Sequence, residues 1–139
     1  MKRFLFFAAL AAAAATVALA ADAKVNIPVH RTAANNGQQM YTSYCAPCHG
    51  VDGRGNGPEA KLLPYTPTDL TMLSRDNRGV FPVVHVISVI KFGVAQHGAA
   101  SNLMPDWGPL LSRMDQAPSD VSPLRIHNIV TYLEKLQAH

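Results

Sequence analysis

The chain has 139 residues, enough for a single domain with its own core, a formal net charge of +3 and only 15% charged residues. That balance excludes a disordered polyampholyte, and ten prolines point to a compact, loop-rich chain. Two of the cations, Lys2 and Arg3, stand in a leader without which the charge falls to +1, so the basic balance marks no nucleic-acid surface.

The leader reads MKRFLFFAALAAAAATVALA: two cations, an apolar run from Phe4, and small residues at Ala18 and Ala20. This is the layout of a secretory signal peptide over residues 1–20, cleaved before Ala21. An uncleaved N-terminal membrane anchor is the other reading, because the apolar run of 18 residues reaches the lower limit of a span. Alanine dominates the run and weakens its transfer into lipid, which favours cleavage and an exported, periplasmic protein.

Residues 21–32 lack periodicity and read as an extended lead-in, followed by one domain over 33–139. From Thr32, a possible cap, to Cys45 the pattern turns helical, with Gly37, Tyr41, Tyr44 and Cys45 on one face. Residues 50–70 carry four glycines and three prolines, which rule out a long regular element. Residues 82–92 (PVVHVISVIKF) are rich in β-branched side chains, yet the apolar pairs recur every third residue, Pro82 suits a first turn and Gly93 follows as a stop. The reading is a buried helix. Residues 93–120 again read as loop. The last element is an amphipathic helix over 123–137, with Ser122 as N-cap and Ile126, Ile129, Val130, Leu133 and Leu136 on its apolar face.

Both cysteines lie in CAPCH, Cys45 to His49. A structural disulfide across two residues closes too small a loop to restrain the unfolded chain much. Three chemistries remain. A thioredoxin-like dithiol wants its first cysteine at a helix N-terminus after a strand, whereas Cys45 ends a helical pattern. Half a zinc site needs a second convergent pair, and His30, His85, His97, His127 and His139 show no such spacing. The third chemistry is covalent attachment of a c-type haem, two thiols adding to the porphyrin vinyl groups and the adjoining imidazole reaching the iron.

Context weighs toward the third. Gly37-x-x-x-Tyr41-x-x-x-Cys45-x-x-Cys48-His49, the glycine-rich HGVDGRGNGP, the segment PTDLT, the stretch LMPDWG and a final helix with Ile129 and Tyr132 occur in that order. In these features residues 33–137 resemble the monohaem class I c-type cytochromes. The resemblance implies an all-α fold, a small bundle of three to four helices wrapped around one covalently attached haem c, with the first and last helices crossing at Gly37 and Tyr41 against Ile129 and Tyr132. It implies attachment through Cys45 and Cys48, His49 as proximal ligand and Met104, within M-P-x-W, as the sixth. Met72, Met114 and Met40 lack that flanking pattern; His85 or His97 would give bis-histidine ligation instead. The resemblance also places the acceptor for the second ring nitrogen of His49 in the proline-containing loop, at Pro58 ahead of Pro64. Trp107 is expected beside the haem edge, and Tyr65 as a pocket residue.

The implied activity is one-electron transfer between periplasmic or membrane-bound redox partners, with no substrate bonds made. The alternatives are a cytochrome subunit of a periplasmic dehydrogenase or oxidase complex, and a catalytic or sensing haem protein with a displaceable sixth ligand. A haem-ligation machinery is a further partner, needed to keep both thiols reduced and to supply haem.

Overall fold

The structure, a computed structural model, describes residues 27–94, 103–114 and 119–138. The expected leader, the first part of the lead-in and His97 lie outside the described residues. All regular structure among the described residues is helical, as expected from the sequence.

The first helical run starts at Gly37, not Thr32. Asn36 is the cap, its side-chain oxygen accepting from the Gln39 N–H at 2.9 Å. The run comprises α1 (Gly37–Met40), a π-helical segment (Tyr41–Cys45) and α2 (Ala46–His49), so it does not stop at Cys45 but carries both cysteines and the histidine. Pro47 gives a reason for the widened turn. It has no N–H to donate, and in a continuous α-helix its ring presses on the carbonyl four residues earlier.

The run ends at Gly50, and the glycine-rich loop folds back on it. Gly55 N–H donates to the His49 carbonyl at 2.8 Å and Gly57 N–H to that of Cys48 at 3.1 Å, satisfying two of the carbonyls a helix end leaves open. Short 3-10 turns at Pro58–Leu62 and Leu70–Met72 and the single-turn α3 (Leu73–Asp76) complete this region.

The β-branched stretch is helical: α4 spans Val83–Phe92, with Pro82 one position earlier than expected, at the cap. Only Val86 and Ile90 on it are fully buried, and Val84 is 81% exposed, so the helix is half-buried, not enclosed. Part of the expected loop 93–120 is a helix as well, α5 (Trp107–Arg113). Pro109 is tolerated because it falls in the first turn, where no intrahelical N–H bond is due, and Trp107 with Leu111 supplies the i, i+4 anchor.

The last helix, α6, spans Ser122–Lys135, starting one residue and ending two residues earlier than expected. Ser122 is its first residue instead of its cap, and the Asp120 carboxylate accepts the Ser122 N–H at 2.9 Å. Beyond its end, Gln137 donates to the Leu133 and Leu70 carbonyls and accepts from the Ser74 N–H, each at 2.8 Å, tying the helix end to the 70–74 turn.

α1 and α6 cross in direct backbone contact. A Cβ at Gly37 would stand 2.0 Å from the Asn128 carbonyl oxygen, and the rings of Tyr41 and Tyr132 lie 5.2 Å apart beside it. This is the crossing the sequence led one to expect. α4 packs on α5 and α6, and the core runs between these helices through Met40, Tyr44, Val86, Leu111, Ile129 and Leu133. Among the described residues the first helical run, α4, α5 and α6 thus enclose one core.

Thr32 serves the core in another way than as a cap. Its hydroxyl lies 2.8 Å from the Tyr44 hydroxyl, and Arg125 Nη1 donates to both its carbonyl (3.0 Å) and its hydroxyl (3.2 Å). Arg125 is 1% exposed. The lead-in is therefore fastened to the domain: Tyr44 O–H also reaches the His30 carbonyl, and Ile27 touches the cavity described next.

Candidate functional site

A cavity of about 430 Å3 opens between the end of the first helical run and α4, a volume within the range of cofactor sites. Cys45, Cys48 and His49 line it. His85, Val86, Val89 and Ile90 of α4 also line it, as do Met104, Pro105, Trp107, Tyr44 and Leu133. Leu63 and residues 65–68 form a lip, with Tyr65 45% exposed there.

Both cysteines are free thiols. Burial, and secondarily the neighbouring Cys48, pushes the Cys45 thiol up to about 12, and burial with Glu59 raises Cys48 as well. A disulfide oxidoreductase needs the reverse, a thiol lowered by a helix N-terminus or a cation. Cys45 instead sits in mid-helix, between the π segment and α2. Among the described residues no group of three or more His, Cys, Asp or Glu side chains is placed to hold a metal ion.

His49 is oriented from behind. Its Nδ1 lies 3.1 Å from the Thr68 carbonyl oxygen, to which it donates in the neutral tautomer, leaving Nε2 with a lone pair. Burial lowers the pKa of His49 and so favours the neutral ring, opposed by that hydrogen bond. The acceptor is thus Thr68, not Pro58. Pro58 opens the 3-10 turn Pro58–Leu62, away from the cavity lining, because the loop must first run through that turn before it returns past the ring. The following turn, Leu70–Met72, is capped by Asp69, whose carboxylate accepts the Thr71 N–H at 2.9 Å and the Thr71 hydroxyl at 2.6 Å.

Of the methionines with described positions, Met104 is the one on the cavity wall. Met40 and Met114 are engaged in the core, their sulfurs near Arg125 Nη1 and the Tyr44 hydroxyl, and Met72 lies outside the lining. Trp107 is 3% exposed, with its ring 5.4 Å from that of Tyr44, and both rings face the cavity. His85, which the sequence offered as an alternative sixth ligand, is exposed and lines the same cavity as Met104. Its position one residue before buried Val86 on the same stripe was the available signal. Thr68 had none, since a main-chain carbonyl carries no side-chain signature.

The donor set fits a covalently attached haem. Two thiols, an imidazole with one free nitrogen and a thioether line one cavity, whose remaining lining is mainly aliphatic and aromatic.

Residues 32–133, most of the chain, match the family described as cytochrome c oxidase, cbb3-type, subunit III. The chain belongs to that family and is a monohaem c-type cytochrome, binding haem c covalently through Cys45 and Cys48 and working in electron transfer. No curated protein and no solved structure gives a match.

Proposed function

We propose that this chain is an exported one-electron carrier whose haem iron is held between His49 and Met104, passing electrons between redox proteins of the periplasm or the adjoining membrane. The observation that supports the reading is that Met104 alone of the methionines among the described residues lines the cavity that Cys45, Cys48 and His49 also line. When bound, the haem supplies a one-electron iron couple, which a neutral thioether ligand shifts toward the reduced state relative to a second imidazole.

The chain's own residues make that couple reversible. Thr68 fixes the His49 ring and its tautomer, so the ligand neither turns nor changes protonation with the electron. Cys45 and Cys48, on the first helical run, would hold the haem through thioether bonds, and Val86, Val89, Ile90 and Trp107 line the same cavity with apolar surface that would exclude water. With two neutral ligands on firm elements, little rearranges during transfer. Asp106 is the only acidic residue of the Met104 stretch, too little to furnish a distal acid-base pair for catalysis.

A second reading is favoured by the family description: the chain is a cytochrome subunit of an oxidase complex. Site chemistry is the same in both. Among the described residues no helix is long and apolar enough to cross a membrane. Migration of native protein with a membrane complex supports the subunit reading, and recovery as a free periplasmic monomer supports the carrier.

The central test is an absorption spectrum of protein exported by cells with haem-ligation machinery, recorded oxidised, reduced, and reduced under carbon monoxide. A thioether-to-ferric band that Met104→Ala abolishes, with no response to carbon monoxide in the unmodified protein, supports the carrier. Ready carbon monoxide binding by the unmodified protein refutes it in favour of a catalytic or sensing role. A folded, stable, colourless product from cells lacking the machinery contradicts the dependence on haem.

A further inference from the structure

The Met104 stretch is anchored at both of its ends, and by glycines. At its start, Gly93 ends α4 with φ 75° and ψ 175°, a conformation open essentially to glycine alone. A Cβ there would stand 2.3 Å from Asp106 Oδ1 and 3.6 Å from the Met104 carbonyl oxygen. At its far end, Gly108, the second residue of α5, lies against the last turn of α4. A Cβ on it would come within 2.6 Å of the Lys91 carbonyl oxygen and 3.0 Å of Lys91 Cγ. Both glycines are buried.

We infer that Gly93 and Gly108 are positioning residues for the sixth ligand, a two-point clasp that sets where Met104 stands over the cavity. The inference rests on the reading of Met104 as that ligand. The last turn of α4 and the first turn of α5 touch backbone to backbone, and residues 103–106 leave that junction directly, whatever path the intervening chain takes.

A methyl group at position 108 meets a main-chain carbonyl that cannot rotate aside, so α5 and the Met104 stretch shift relative to the α4 wall of Val86, Val89 and Ile90. Cys45, Cys48 and His49, on the first helical run, are not touched. The clasp therefore controls ligation by methionine without controlling haem attachment.

The test compares four holoprotein variants: Gly108→Ala, Gly93→Ala, Met104→Ala and Gly37→Ala. Gly37→Ala is the control, a clash of 2.0 Å at the α1–α6 crossing, remote from the Met104 stretch. The readouts are the thioether-to-ferric band, carbon monoxide uptake by the reduced protein, far-ultraviolet circular dichroism and the melting temperature. The expected result is loss of most of the band and new carbon monoxide binding in Gly108→Ala at unchanged helicity and haem content. Gly93→Ala, which meets a movable side chain but a strained backbone, is expected to lose part of the band. Gly37→Ala is expected to melt earlier with its band intact. If Met104→Ala loses the band while Gly108→Ala and Gly93→Ala keep it, the clasp is wrong and the ligand assignment stands. If Met104→Ala keeps the band, the ligand assignment itself falls. Loss of helicity in step with the band in both glycine variants likewise overturns the clasp, since the glycines then serve the fold as a whole.

Discussion

Replacing Tyr44 by Phe removes a buried hydroxyl that bridges the His30 carbonyl and the Thr32 hydroxyl and leaves the ring in place. That hydroxyl has one proton, which goes to the His30 carbonyl at 2.5 Å, while it accepts from Thr32 Oγ1 at 2.8 Å. In the variant the His30 carbonyl is close enough to solvent to be rehydrated, but the Thr32 hydroxyl, in a residue 8% exposed, loses its acceptor while still receiving Arg125. An ordinary hydrogen bond contributes about 0.5–1.5 kcal/mol and a buried orphan costs about 1–3 kcal/mol, so the expected loss is about 1–2 kcal/mol. Urea unfolding of the holoprotein, followed by haem absorption and by circular dichroism, should show a lower midpoint at unchanged slope. The visible spectrum should not change, because the ring still rests against Trp107. Thr32→Val combined with Tyr44→Phe should be non-additive by about 0.5–3 kcal/mol, as expected of partners in one network. Strict additivity, or a Tyr44→Phe effect within about 0.5 kcal/mol of zero, refutes the claim that this knot fastens the lead-in to the domain.

Gly37→Ala gains about 1 kcal/mol of helix propensity but forces the α1 and α6 backbones apart, an overpacking cost of about 1–3 kcal/mol, so calorimetry should show a net loss; a higher melting temperature contradicts the close crossing. Burial, ahead of the charges of Cys45, Tyr132 and Asp52, raises the pKa of Tyr41 well above its ordinary 10.0, and burial remains when Cys45 has become a thioether. Its contribution is then whole below pH 10.0 and declines as the pH rises further, because only the unfolded chain gives up the proton, with a slope of up to about 1.4 kcal/mol per pH unit. Tyr41→Phe should flatten the alkaline loss of stability, and identical slopes in the two proteins would sink the argument. The Asp69 carboxyl is held below its usual range chiefly by the Thr71 hydroxyl, so its stabilisation is present above the ordinary carboxylate pKa and is lost as the pH falls through the lowered one. Asp69→Ala should cost about 1 kcal/mol at neutral pH and almost nothing in acid, read by urea titration at both; an equal cost at both would discount the cap.

The CAPCH motif, the amphipathic α6 and the Gly37 crossing were legible because each is written in side-chain type and spacing. α4 was legible despite its β-branched residues, since Gly93 and the three-residue recurrence outweighed local preference. α5 was missed because Gly108 and Pro109 look like loop residues; Pro109 is harmless in a first turn, and Gly108 is required by a neighbour, Lys91, that the local sequence does not reveal. The true start of the first helix was hidden by two adjacent asparagines and a threonine, all competent caps. The partner of His49 was illegible in principle, being a backbone atom placed by the path of a loop. His85 shows the converse, a residue with a clear position on a helix face whose significance depends on what else lines the cavity.

The crossing of α1 and α6 also fixes an order of assembly. It joins segments from opposite ends of the domain, as in the bond from Asn128 to the Ala34 carbonyl across 94 residues of sequence. Contacts of that separation are the slowest to form, since nearly the whole chain must be closed into a loop first. In N-to-C order of emergence, Cys45 and Cys48 are exposed well before α6 follows to cover the helix that leads into them. The interval between the two leaves thiols that the finished fold half-buries open to haem attachment, and the late arrival of the C-terminal helix then closes the domain around the cofactor.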